Sequence, residues 1–215
     1  YMMKKYIFLL LIMLSNSIAS QNLKSYFISM PDSIIPLLTK VNREDCVDFL
    51  DSKMKAEVKN KFGNISELKA LTDNYLLLQT TSNSYIEMKL LSVNDSTKII
   101  GVSRSYKAKA VDSSLSFYST DWQRLDNMKF INLPAREKSA LNDSLSFKDL
   151  TSQEINDIMD IPLMKISFQE TNNDLIFENT SPYTLDKEQL MELKLDRQNK
   201  TIRYIWKDGR YVLEK

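Results

Sequence analysis

The chain has 215 residues with a formal charge of +1, 43% hydrophobic and 27% charged residues, the make-up of an ordinary globular protein. It contains no histidine and three glycines. Those scarcities exclude histidine-based nucleophile pairs and general bases, most catalytic zinc sites, and the glycine-rich loops that cradle phosphates.

Lys4 and Lys5 precede the apolar run from Ile7 to Leu14, and the small and polar residues Ser15 to Ser20 follow. A positive region, a short apolar core and a small-residue site form the pattern of a cleaved export signal. The run is far shorter than the ~20 residues of a membrane span. No cysteine follows it, so a lipid anchor is not indicated. The expectation is a signal peptide over residues 1–20 and export to the periplasm, cell surface or medium, with no transmembrane segment after cleavage. Loss of Lys4 and Lys5 takes the charge to about −1, which offers no basis for nucleic-acid binding or a polybasic membrane patch.

Met30-Pro31-Asp32-Ser33 reads as the start of a short helix, with Asp32 or Ser33 as its cap and Ile34, Leu37 and Leu38 on one face. A longer helix is expected next. Asn42 is its cap, Val41 staples onto Cys46, and Gly63 ends it. Cys46, Phe49, Leu50, Met54 and Val58 make its apolar stripe, with a break near Ser52-Lys53 that would give two helices. Cys46 is the sole cysteine, so it forms no internal disulfide, and a small buried hydrophobe is its simplest role.

The period then changes to two. Strands are expected at Glu67–Leu71, Tyr75–Thr81, Ser84–Ser92, Lys98–Lys107 and Ser113–Ser119, separated by short turn-rich links that force an antiparallel meander. Leu76, Leu78, Ile86, Met88 and Leu90 are placed on its buried face, under the helices. Residues 126–149 read as a connection. A capping box at Thr151-Ser152-Gln153-Glu154 opens a second part, with strands Met164–Gln169 and Leu175–Glu178 and a helix from Leu185 to Leu193. A closing hairpin, Thr201–Lys207 with Arg210–Leu213, turns at Asp208-Gly209. That loop sets Trp206 opposite Tyr211 and Tyr204 opposite Leu213, an aromatic ladder that reads as core before it reads as a ligand platform. The fold class expected is α+β: N-terminal helices on an antiparallel meander over 21–125, then a smaller helix-plus-antiparallel-sheet half over 150–215.

Met30-Pro31-Asp32-Ser33, Leu38-Thr39-Lys40-x-Asn42-Arg43 and Asp48-Phe49-x-Asp51-Ser52-x-Met54-Lys55-Ala56-Glu57-Val58 together resemble the signature of a secreted Bacteroidales family, domain of unknown function 3256. Leu71-Thr72-Asp73-x-Tyr75-Leu76 and Trp206-Lys207-Asp208-Gly209-Arg210-Tyr211 are similar to its later segments. The resemblance implies export from a Gram-negative cell. It implies no activity and transfers no catalytic residue.

One constellation carries chemistry. Glu44, Asp48 and Asp51 share a helix face by their spacing, with Asp45 beside them, and Asp32 follows the fixed Pro31. Asp32, Glu44, Asp48 and Asp51 are the candidate binding residues. They suit a basic partner surface, a hard cation, or paired-carboxylate hydrolysis in a cleft. The plainer reading is a solvated helix face. The expected function is a secreted, non-enzymatic binding module of the cell envelope, meeting a protein or an envelope glycan, with no cofactor and no metal. The alternatives are a carboxylate-based hydrolase acting on glycans and a structural envelope component.

Overall fold

The computed structural model describes residues 22–132, 163–185, 187–188 and 201–214. The architecture is α+β and mostly antiparallel sheet. Helix α1 spans Leu23–Ser29 and α2 spans Lys40–Asp51. A seven-stranded sheet follows in chain order, β1 (Glu57–Lys59), β2 (Ile65–Leu71), β3 (Tyr75–Thr81), β4 (Ser84–Ser92), β5 (Lys98–Lys107), β6 (Val111–Ser119) and β7 (Arg124–Leu125). A four-stranded sheet has the order β11-β10-β9-β8, from β8 (Met164–Phe168), β9 (Leu175–Asn179), β10 (Thr201–Lys207) and β11 (Arg210–Leu213).

The five meander strands lie where the period-two pattern puts them, with the first and last each extended N-terminally by two residues. Leu76, Leu78, Ile86, Met88 and Leu90 are all buried, in one cluster with Leu23, Phe27, Cys46 and Val47 of the helices. The closing hairpin has the expected register, Trp206 opposite Tyr211 and Tyr204 opposite Leu213. Tyr204 and Tyr211 are buried, so the ladder is core, although Leu213 is exposed.

The helical layer differs from expectation at several points. The chain enters α1 earlier, at the Asn22 cap, whose side chain accepts from the Ser25 amide. Met30 to Leu38 is a set of turns and no helix. Pro31 and Pro36 remove amide donors there. Helix α2 is capped by Thr39, with Asn42 as the returning member of the capping box. Val41 is 61% exposed and makes no staple. The helix stops at Asp51, at the break expected near Ser52-Lys53, where Lys53 takes φ 57° to turn the chain, but a strand and not a second helix follows. Val58, expected on the stripe, enters β1 instead, and Gly63 serves the β1–β2 turn at φ 79°. Met54 is exposed. The expected helix at Thr151 lies outside the described residues, as does most of the one from Leu185 to Leu193.

The large sheet therefore has helices on one face and the small sheet on the other. Strand β8 meets the large sheet by its edge. Its unpaired amides at Met164, Ile166 and Phe168 donate to Asp112, Ser113 and Glu87. Ser103 donates to the Ile166 carbonyl, and Lys89 donates to the carbonyls of Gln169 and Glu170. Side chains thus stand in for a missing neighbouring strand and block the edge. The approach is close: a Cβ at Gly101 would meet the Phe168 ring at 2.6 Å.

Glu87 is buried in this seam, and burial pushes its carboxyl up to about 7, against the Phe168 amide and Lys165, which favour the charged form. A carboxyl raised above its ordinary value stabilises the fold most when protonated. Its contribution is complete below its ordinary pKa near 4.5 and is lost as pH rises through about 7. A shift of this size corresponds to roughly 3 kcal/mol. In Glu87→Gln, which carries no charge in either state, the loss of stability between pH 5 and pH 8 should shrink by an amount of that order. Urea unfolding at the two pH values measures it, and an equal loss in both proteins would refute the assignment.

Candidate functional site

Arg43 organises the surface on which the candidate carboxylates sit. It lies on the inner side of α2 and is 1% exposed. Its guanidinium donates to the carbonyls of Leu38 (2.9 Å), Ile28 (3.4 Å) and Met30, and to Asp32 at 2.9 Å. A guanidinium keeps its charge in any environment, so burial requires acceptors such as these around its two terminal nitrogens, although its Nε is left without one. The Met30–Leu38 turns supply two of the three carbonyls, and the end of α1 supplies the third. Asp32 also lies 3.7 Å from Lys61.

The other candidates disperse. Glu44 pairs with Lys40 across one helical turn at 3.6 Å. Asp51 pairs with Lys24 and ties α2 to α1. Asp48 is exposed and makes no ion pair with a described residue. Each of the three paired carboxylates has its own cation. Among the described residues, no three acidic or sulfur-bearing side chains converge as they would around a metal ion. Cys46 is fully buried, beside the Ala56 carbonyl, and burial pushes its thiol up to about 11. That describes a packed hydrophobe with little thiolate at neutral pH.

Two open grooves lie elsewhere. One, about 260 Å³, is lined by Asn22, Asp73, Asn74, Lys98 and Asn173 among others, where α1 meets the β2–β3 turn. The other, about 380 Å³, lies across β1, β2 and β3 and is lined by Glu57, Asn64, Ile65, Glu67, Gln79 and Thr81. Neither is lined by Asp32, Glu44, Asp48 or Asp51. Beside the second groove stands Phe62, 79% exposed at the tip of the β1–β2 turn. Sequence reasoning passed over Phe62, and it met Arg43 within the family signature without foreseeing its burial. The signal for Phe62 was an aromatic residue directly before Gly63. Arg43 carried no signal, because its surroundings come from residues 5 to 15 positions away.

With this geometry in place, comparison with known proteins identifies the family. Residues 15–211 match the family described as protein of unknown function DUF3256, and the chain belongs to it. The fold is also similar to a solved domain of an uncharacterized protein from Porphyromonas gingivalis W83, at 23% sequence identity and a TM-score of 0.73, covering 89% of this chain and 97% of that one. No curated protein matches the chain. No described helix is long and apolar enough to cross a membrane. The segment that carried the family likeness contains both members of the Asp32–Arg43 pair.

The hydrogen bond from Arg43 is the main reason that Asp32 sits below the ordinary carboxylate range, with the charges of Arg43 and Lys61 adding to it against some desolvation. A depressed acid contributes stability above its ordinary pKa and loses it as pH falls through the lowered value. Asp32→Asn should therefore lower the unfolding midpoint at pH 7, and the gap from wild type should close in strong acid. Denaturant melts across that range test this, and a gap independent of pH would show that Asp32 acts through shape alone.

Proposed function

We propose that this member of the family is exported and acts in the Gram-negative cell envelope as a non-enzymatic module, binding a partner protein through the tip of the β1–β2 turn and the adjoining sheet face. Phe62 carries the reading. The turn that presents it is built around Asn60, which is buried. Asn60 accepts from the amides of Phe62 (3.0 Å) and Asn64 (3.2 Å) through its side-chain oxygen. Its side-chain amide donates to Ser66 and to the Thr80 carbonyl. The Lys61 amide is held by the Leu37 carbonyl at 3.0 Å. A large apolar ring is thus presented to solvent from a turn whose backbone is held in place.

Aromatic residues so placed make effective anchors, because little conformational freedom remains to be lost on binding. Ile65, 49% exposed, extends the apolar surface into the 380 Å³ groove. Charges at its border are already paired, Lys55 with Glu57 and Lys69 with Glu67, which limits the desolvation cost of covering them. The small sheet docks on β4, β5 and β6 and leaves this part of the outer face to solvent. Export is supported by the pattern of residues 1–20. The hydrolase alternative draws no support from carboxylates tied to separate cations.

A photo-crosslinking residue at position 62, expressed in the native envelope, should capture a discrete protein that the same residue at Asp95, in the β4–β5 turn, does not. Phe62→Ala should leave the unfolding midpoint unchanged, since the ring is exposed. Identical products from the two positions, or none from position 62, would sink the proposal. Turnover of an envelope glycan abolished by Asp48→Asn would install the hydrolase in its place.

A further inference from the structure

At the far end of the large sheet, away from the Phe62 turn, two arginines converge on one phenol. Tyr118 of β6 lies opposite Arg124 of β7 in register. Arg124 Nη1 is 3.5 Å from the Tyr118 hydroxyl, and its guanidinium carbon stands 5.4 Å from the ring centroid. Arg104 of β5 donates to the Ile34 carbonyl at 3.2 Å and adds hydrogen bonding and charge at the same hydroxyl. In register, Arg104 is opposite Ser114, Val102 opposite Ser116, and Ile100 opposite Tyr118. The side chains of Arg104, Ser114, Ser116, Tyr118 and Arg124 therefore rise from one face of adjacent strands.

Neither arginine forms an ion pair with a described residue, although most other cations of the helical layer do. Two guanidinium groups brought to one hydroxyl repel each other unless an anion lies between them. Burial alone would raise the Tyr118 phenol, but hydrogen bonding and charge from Arg124 and Arg104 outweigh it and hold the phenol below its usual range. Guanidinium forks match the geometry of oxyanions, and a phenol supplies one further donor.

We propose that Arg104, Tyr118 and Arg124 form a binding site for a doubly charged tetrahedral oxyanion, a phosphate or sulfate group. Two cations favour a dianion over a carboxylate. Arg124 is exposed and Arg104 half-buried, so the ligand enters from solvent and keeps its bearer outside the fold. A phosphate ester and a sulfate ester present the same chemistry, and free inorganic phosphate and sulfate serve as probes for each. The site is independent of the Phe62 surface, and either reading stands if the other fails.

Arg124→Gln is the informative variant, because Arg124 touches no described group besides Tyr118 that the fold needs. The test is a titration of the full chain with inorganic phosphate, sulfate and acetate, at ionic strength held constant with sodium chloride. Thermal unfolding and calorimetry are the readouts. Phosphate or sulfate should raise the wild-type midpoint saturably, and the affinity should fall at least tenfold in Arg124→Gln. Tyr118→Phe should weaken binding by less, since it removes one donor and no charge. The phosphate-to-sulfate ratio tells which ester the site prefers. The proposal fails if wild type shows no saturable response, if Arg124→Gln responds equally, or if acetate binds as tightly as the dianions.

Discussion

The buried guanidinium of Arg43 is the constraint on which the helical layer depends. A charge that cannot be neutralised is held at 1% exposure, and three backbone carbonyls with one carboxylate surround it. Removing any of these partners leaves an uncompensated charge in a medium that solvates it poorly. The carbonyls come from the end of α1 and from the turns before α2. Arg43 therefore fixes an irregular segment that has no helical hydrogen bonds of its own, and with it the angle at which both helices reach the sheet. Arg104 binds the Ile34 carbonyl from the sheet side, so the same segment is held from two directions.

The opposite face of the sheet obeys the same rule with different groups. Among the described residues strand β8 has no strand neighbour on one side, yet its amides are withdrawn from water. Asp112, Ser113, Glu87, Ser103 and Lys89 satisfy that edge from the surface of β4, β5 and β6. The two sheets are thereby locked in a single relative position, because sliding would break every one of these bonds together. Ser105 and Ser113, joined at 2.7 Å, belong to the same seam. The apolar cluster around Phe117, Ile166, Phe168 and Tyr211 supplies the cohesion, and the polar row supplies the register.

This arrangement also explains why the acidic face of α2 is a weak site. Glu44 and Asp51 neutralise lysines that border the helix, and Asp32 completes the shell of Arg43. The spacing of Glu44, Asp48 and Asp51 on the helix was visible in the sequence, as was Lys40 four residues before Glu44, but the long-range partners were not. Lys24 is 27 positions from Asp51, and Lys61 is 29 from Asp32. The surfaces with spare capacity are the exposed ring of Phe62 and the arginines beside Tyr118, which hold hydrogen bonds but form no ion pair with a described residue.

What the sequence determined by itself was local. The meander strands, their turn-rich links and the Asp208-Gly209 hairpin are specified by side-chain period and by backbone conformations open to few residues, and both are properties of neighbours. The end of α2 was less legible. Met54 and Val58 continue a helical stripe, but the left-handed turn at Lys53 and the pairing of Val58 with Ser66 override it. For the serines of β5 and β6, alternation shows which residues share a side and is silent on what covers that side. Only the tertiary structure decided that Ser103, Glu87 and Lys89 are buried, because the strand that buries them lies 63 to 81 positions away. The same holds for Arg43 and for the arginine pair at Tyr118. Their chemistry comes from groups that the fold brings together, and charge type alone does not reveal whether a residue will be buried, paired or left open.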